Sequence, residues 1–182
     1  MNCATRCGAL GVLVASVLCG SQAVAKNDGI ETAGNVVKFA LPVAAAGIAL
    51  YHNDADGVLQ LGVSWAGAYG TSLLLKQFVH EERPDHHGHD SFPSDSTATA
   101  FAAATSLQIR YGWDYGLPAY ALATFVGVSR VEADKHHWHD VAAGALIGWG
   151  IAEIFTDPYQ PFPEVQAYAS AGGGGVNAHW RW

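Results

Sequence analysis

Positive charge is what this 182-residue sequence has least of: nine Lys and Arg stand against sixteen Asp and Glu, for a net charge of −7. No basic segment stands out, and a nucleic-acid binder needs clustered cations to displace phosphate counterions. Nucleic acid is thereby excluded as a partner. Charge of either sign is sparse, 14% of residues against 50% hydrophobic, which excludes a disordered chain. Cysteine is rare and oddly placed: Cys3, Cys7 and Cys19 are the only three, all within the first 25 residues.

Those 25 residues read as a targeting segment. Arg6 is the only charge before Lys26, an apolar run follows from Gly8 to Gly20, and Ala23-Val24-Ala25 supplies a small-x-small cleavage site. Residues 1–25 are therefore expected to be a signal peptide, with Leu18 arguing against lipid attachment at Cys19. Without this segment the chain has no cysteine, which removes disulfides and cysteine catalysis. The expected product is exported, to the periplasm or to the inner membrane.

The remainder is long enough for one domain. Apolar stretches at Val36–Tyr51, Gly57–Leu75, Thr97–Ile109, Tyr115–Val128 and Val141–Phe155 are Ala- and Gly-rich, and none alternates as a strand would. Polar turns separate them, at 52–57, at 110–116 and in a His-rich loop before Phe92. The reading is an all-α bundle of about five core helices over residues 26–157, with Gly144 and Gly148 as a close-packing pair. Gly57–Leu75 holds 19 residues without a charge and could span a membrane, whereas Thr97–Ile109 is marginal and the mean hydropathy is only +0.13. A membrane-embedded bundle and a soluble exported one fit equally. Residues 158–182 alternate small and large residues on either side of Gly172–Gly175, as a hairpin or as a flexible tail, with Val176, Ala178, Trp180 and Trp182 sharing a face in the first case.

Three short segments concentrate the chemistry. In "KQFVHEERP", Lys76 and Arg83 are seven apart, so on a helix they project from one face, and two cations there suit an oxyanion. In "SFPSDSTATAFA", Ser94 reads as the cap of a helix whose free amides attract anions. In "SRVEADKHHWHD", His136 and Asp140 stand at i and i+4, so that on a helix the carboxylate can orient the imidazole, and Arg130 adds a third cation. Taken singly, each also fits an ordinary role: helix-end charges, a cap, a structural hydrogen bond.

Together they resemble the signature of the type 2 phosphatidic acid phosphatase and vanadium haloperoxidase superfamily, KxxxxxxRP, PSGH and SRxxxxxHxxxD. Lys76-x6-Arg83-Pro84 and Ser129-Arg130-x5-His136-x3-Asp140 fit in full, and the likeness covers roughly Val36 to Phe155. It implies that Lys76, Arg83, Arg130, Ser94 and an amide near Asp95 grip phosphate. It implies too that His136 attacks phosphorus to give a phosphohistidine, with Asp140 orienting it. No metal and no cofactor is implied. The expected function is a phosphatase acting on a phosphomonoester or diphosphate, with a lipid substrate and membrane contact; haloperoxidases of this superfamily tend to be much longer.

The second motif departs from the pattern: Pro93-Ser94-Asp95-Ser96 stands where the family has PSGH. The missing histidine is the one that protonates the leaving oxygen in the family, and a general acid contributes roughly 10²–10⁴-fold. Three readings follow. The substrate carries a good leaving group, as a diphosphate does; another group near Ser96 donates the proton, with Asp95, His86, His87 and His89 the candidates; or turnover is weakened and anion binding remains. A different class is set by the histidines, six of nine of which lie in "DHHGHD" and "HHWHD". A metal-binding envelope protein would use these, with His136/Asp140 or His136/His139 as chelating pairs.

Overall fold

A computed structural model describes the backbone of residues 26–160, 164–170 and 173–179 and the side chains of 29–160. The expected signal peptide lies outside the described residues. Five helices follow in order: α1 (Lys26–Tyr51), α2 (Ala55–Phe78), α3 (Asp95–Tyr111), α4 (Trp113–Glu132) and α5 (Trp138–Phe155), then strands β1 (Glu164–Ser170) and β2 (Gly173–His179). The all-α bundle of the sequence reading is the observed architecture.

Helix α3 is the axis. Its sequence "DSTATAFAAATSLQIRY" is almost entirely small, and α1, α2, α4 and α5 all pack on it. Small residues let backbones approach closely. A Cβ at Gly144 would run into the backbone of Ser94, and one at Gly148 into that of Ala98, so the close-packing pair seats α5 on the start of α3. The core is built from Ala45, Ala68, Ala98, Ala102 and Ala123 with a few larger residues such as Leu41, Leu61 and Val126. Many of the larger apolar side chains point outward: Phe39, Val43, Leu59, Phe78, Leu117, Leu146 and Ile154 are all exposed. Two helices are long and apolar enough to cross a membrane, over Gly29–Tyr51 and Ala55–Phe78, with 22% of each apolar window buried.

Three boundaries differ from the sequence reading. Helix α1 starts ten residues before Val36, within the polar stretch "KNDGIETAGN", because that extra length is used against α4. The turn expected over 110–116 shrinks to Gly112, whose φ of 85° suits glycine and lets α4 begin at once. The expected hairpin is present, but β1 and β2 pair antiparallel from Glu164–His179 to Ser170–Gly173. Gly173, Gly174 and Gly175 therefore belong to the strand and not to the turn; the face expected for Val176 to Trp182 lies outside the described side chains.

Candidate active site

Up-and-down connectivity brings the start of α1, the end of α2, the start of α3, the end of α4 and the start of α5 to one end of the bundle. All three motif segments lie there. Helix α2 stops at Phe78 because Val79 takes extended backbone, so Arg83 is not on a helix face with Lys76 as the spacing suggested. The two cations meet in another way. Lys76 donates to the carbonyl of Asp90 at 2.5 Å, and Arg83 grips the Asp90 carboxylate with Nε at 2.8 Å and Nη2 at 2.9 Å. The 79–94 loop that carries Arg83 is pinned down by Ser91 N donating to Glu81 O and by Ser94 N donating to Asp140 O.

Ser94 caps α3, accepting from Thr97 N. The amides of Asp95 and Ser96 in the first turn have no acceptor within the described residues, and free amides at a positive dipole end suit an anion. Asp95 occupies the family's glycine position, and its carboxylate lies 3.5 Å from Lys76 Nζ and 3.7 Å from Lys38 Nζ. The like charge that the sequence placed beside the anion is thus countered by two lysines. One of them, Lys38 on α1, belongs to no motif. Ser96 is buried directly behind Asp95.

Arg130 is buried at the end of α4. Its guanidinium donates to Asn35 Oδ1 and to the carbonyl of Glu31, both at 3.0 Å, and to Ser129 Oγ. All these acceptors are neutral, and within the described residues no carboxylate forms an ion pair with this buried cation. A buried charge with no directly paired counter-charge is costly, the Glu31 and Asp95 carboxylates act on it only from further away, and an anionic ligand relieves it. Gly34 is what lets α1 reach this far: a Cβ there would run into Ser129.

His136 lies before α5 begins, not on it, and is 4% exposed. Its Nδ1 is 2.7 Å from the carbonyl of Ser91, so Nδ1 carries the proton and Nε2 has no hydrogen bond among the described residues. Burial, with the nearby Lys76 cation, pushes His136 down to about 4, which keeps it neutral near pH 7. Asp140 does not orient the ring directly: its Oδ2 is 3.7 Å from Nδ1. That oxygen accepts instead from Ser91 Oγ at 2.5 Å and from His137 N at 2.7 Å. Asp140 thus holds Ser91, and Ser91 holds His136. Ser91, like Lys38, Glu31 and Asn35, went unmarked in the sequence because a lone polar residue in a loop or helix start carries no spacing signal.

The candidate proton donors separate. His86 and His87 are exposed and engaged by Glu82 and by Asp85 of their own loop, and His89 is exposed on the same loop. His137 and His139 stand beside Asp140, their rings stacked with centroids 5.2 Å apart. Among the described residues His136 belongs to no group of three or more metal-ligating side chains. Of the two pairs expected from sequence, His136 and Asp140 do lie 3.7 Å apart, but the His136 Nδ1 that faces Asp140 is taken by the Ser91 carbonyl.

Free helix amides, cations from α1, α2, the loop and α4, and a neutral imidazole with one open nitrogen lie at one end of the bundle, an arrangement that suits an oxyanion. The sequence profile of the PAP2 superfamily matches residues 57–160, and the chain belongs to that superfamily. It is 31% identical over 170 residues to a lipid A 4'-phosphatase of Helicobacter pylori, covering 84% of this chain and 85% of the relative. It is 40% identical over 119 residues to a lipid A 1-phosphatase of Porphyromonas gingivalis, covering 58% of this chain and 25% of that longer protein. The crystal structure of Aquifex aeolicus LpxE is similar with a TM-score of 0.53 and 25% identity, covering 65% of this chain and 82% of that one.

Proposed function

We propose that this protein is a lipid phosphate phosphatase in which His136 is the nucleophile. The observation that carries this is the state of His136: neutral, with Nδ1 fixed on Ser91 O and Nε2 open. Nε2 would form a bond to phosphorus while the bond from phosphorus to the leaving oxygen breaks, giving a phosphohistidine. Water would then form the new P–O bond as the P–N bond breaks, releasing inorganic phosphate. Lys76, Arg83, Arg130 and the free amides of Asp95 and Ser96 would hold the equatorial oxygens, which is most of what phosphoryl transfer asks of a protein.

A lipid substrate is supported by the chain's relatives and by the inverted distribution of side chains, small inside and large apolar outside. Between α1 and α2 apolar side chains, Phe39, Val43, Val58 and Trp65 among them, line one groove, and contiguous apolar surface marks a membrane or partner contact. If α1 and α2 span, the site shares its end of the bundle with the start of α1, which would place it on the exported side of the membrane. Because Ser96 replaces the acid that would protonate the leaving oxygen, the preferred substrate is expected to be a diphosphate, whose leaving group needs little protonation.

The test is phosphate release by the protein in detergent with EDTA, on a water-soluble phosphomonoester, a lipid monophosphate and a lipid diphosphate, beside His136→Ala. Release that vanishes in the variant supports the nucleophile. Tight phosphate or vanadate binding with no release from any substrate would favour the second reading, an anion binder with weakened turnover. Asp95 and Ser96 in place of the family's Gly-His are the specific observation behind it.

A further inference from the structure

Two buried polar atoms in this end of the bundle have no hydrogen-bond partner among the described residues: Asp140 Oδ1 and His137 Nδ1. Neither is needed by the phosphate chemistry above. Asp140 is fully buried, and its other oxygen is already occupied by Ser91 Oγ and His137 N. Orphaned buried atoms of this kind cost free energy and ask for an occupant. Both face the same small space as Glu81 Oε1 and His139 Nε2, and the four ligand atoms lie within 4.8 Å of one another.

We propose that Glu81, His137, His139 and Asp140 form a binding site for a divalent transition-metal ion of the zinc type. Two imidazole nitrogens with two carboxylate oxygens suit Zn²⁺ and not the all-oxygen preference of Mg²⁺ or Ca²⁺. Bonds of about 2.0–2.1 Å to a tetrahedral ion put ligand atoms ~3.3 Å apart. The separations bracket that value: His139 Nε2 is 2.7 Å from Glu81 Oε1 and 3.1 Å from Asp140 Oδ1, and His137 Nδ1 is 3.5 Å from Glu81 Oε1. The donors come from two places in the chain. Glu81 belongs to the 79–94 loop and the other three to the start of α5, so the ion would staple the loop that carries Arg83 and Ser91 to the helix that carries Asp140. Asp140 would divide its oxygens, Oδ1 for the metal and Oδ2 for the Ser91 hydroxyl whose carbonyl holds His136. The site is therefore a brace beside the nucleophile, and turnover does not pass through it.

The experiment is a titration of the EDTA-stripped, full-length protein with Co²⁺ and then Zn²⁺ in detergent. A Cys3→Ser/Cys7→Ser/Cys19→Ser background removes thiolate ligands. One Co²⁺ per chain with the intense visible bands of a tetrahedral site, displaced by Zn²⁺ and accompanied by a higher midpoint of thermal unfolding, is the expected result. Glu81→Gln and His139→Gln, made singly, should each weaken uptake by ~10–100-fold or more. His139 is 58% exposed, so its variant is expected to fold, and its circular dichroism and melting in EDTA check that it does. His86→Gln/His87→Gln/His89→Gln should bind as the parent does. Absence of uptake, uptake unchanged in both folded single variants, or uptake lost with the loop histidines would each overturn the proposal.

Discussion

The two ends of the bundle treat buried charge in opposite ways. At the far end Arg110 reaches Asp54 with two nitrogens, both at 2.5 Å, and Gln60 and the Asp157 carbonyl take its remaining nitrogen at 2.8 Å. Asp54 also caps α2 through Gly57 N and accepts from Tyr111. Burial would raise the Asp54 carboxyl, but these hydrogen bonds outweigh it and hold the group at about 2. At the near end Arg130 is as buried but has only neutral acceptors, and the partner of Arg83, Asp90, is half exposed. The far end is electrostatically closed, whereas the near end holds cations in place without neutralising them all. A cavity of about 510 Å³ lies at the closed end, lined by Asp54, Arg110, Asp157 and Tyr159. This cavity and the cations without a paired carboxylate are therefore at opposite ends, and the proposed chemistry rests on the charge.

Single substitutions should separate the two ends. The largest effect is expected from His136→Gln, which keeps a polar side chain near Ser91 but removes the proposed nucleophile: turnover should fall by ~10⁴-fold or more, with the melting temperature little changed. Steady-state phosphate release beside a thermal melt checks both halves. Arg110→Met should do the reverse. It leaves Asp54 buried without its partner, and breaking such a pair costs about 3–5 kcal/mol. Denaturant titration should show the loss, while the fraction still folded turns over at the parent rate. If Arg110→Met instead abolishes kcat without loss of stability, the far end is not merely structural.

How much of this was legible in the sequence varies with the kind of signal. The five helices could be placed because apolar runs between polar turns report burial directly. Gly144 and Gly148 announced a close crossing, which is the one that seats α5 on Ser94. The start of α1 was invisible because "KNDGIETAGN" has no apolar face, and its helix is justified only by what Arg130 takes from Glu31 and Asn35 on folding. Sequence spacing put Lys76, Arg83, Ser94, Arg130, His136 and Asp140 in one site, yet the way they act on one another differs. The spacing implies helical phase from Lys76 to Arg83 and from His136 to Asp140, but α2 ends at Phe78, before Arg83, and α5 begins at Trp138, after His136. Asp90 joins the first pair and Ser91 the second. Both lie in a loop whose path is set by long-range contacts that no local pattern encodes.

Acid should sharpen the same contrast at the closed end. Asp54 sits near 2 in the folded chain against 3.8 ordinarily, so its contribution is complete above about pH 4 and lost as the pH falls toward 2. That difference corresponds to roughly 2 kcal/mol. Thermal melts of the parent and Asp54→Asn from pH 5 to pH 2 should converge toward the acid end; parallel curves would show that Asp54 is not held low.

The smallest expected effect concerns Asp95, where the comparison is most easily broken. Its carboxylate stands between Lys38 and Lys76 at the helix end that phosphate would occupy, so it competes with an anion for the same cations. Removing its charge frees both lysines, but it also removes an acidic group from the first turn of α3, which is worth about 0.3–1 kcal/mol to the helix. Asp95→Asn should therefore tighten vanadate inhibition by a few-fold while slightly lowering the melting temperature. A relaxed salt dependence of inhibition would point to simple screening by the carboxylate. Weaker inhibition would mean that Asp95 helps to position Lys76, and the near end would then be built on pairing as the far end is.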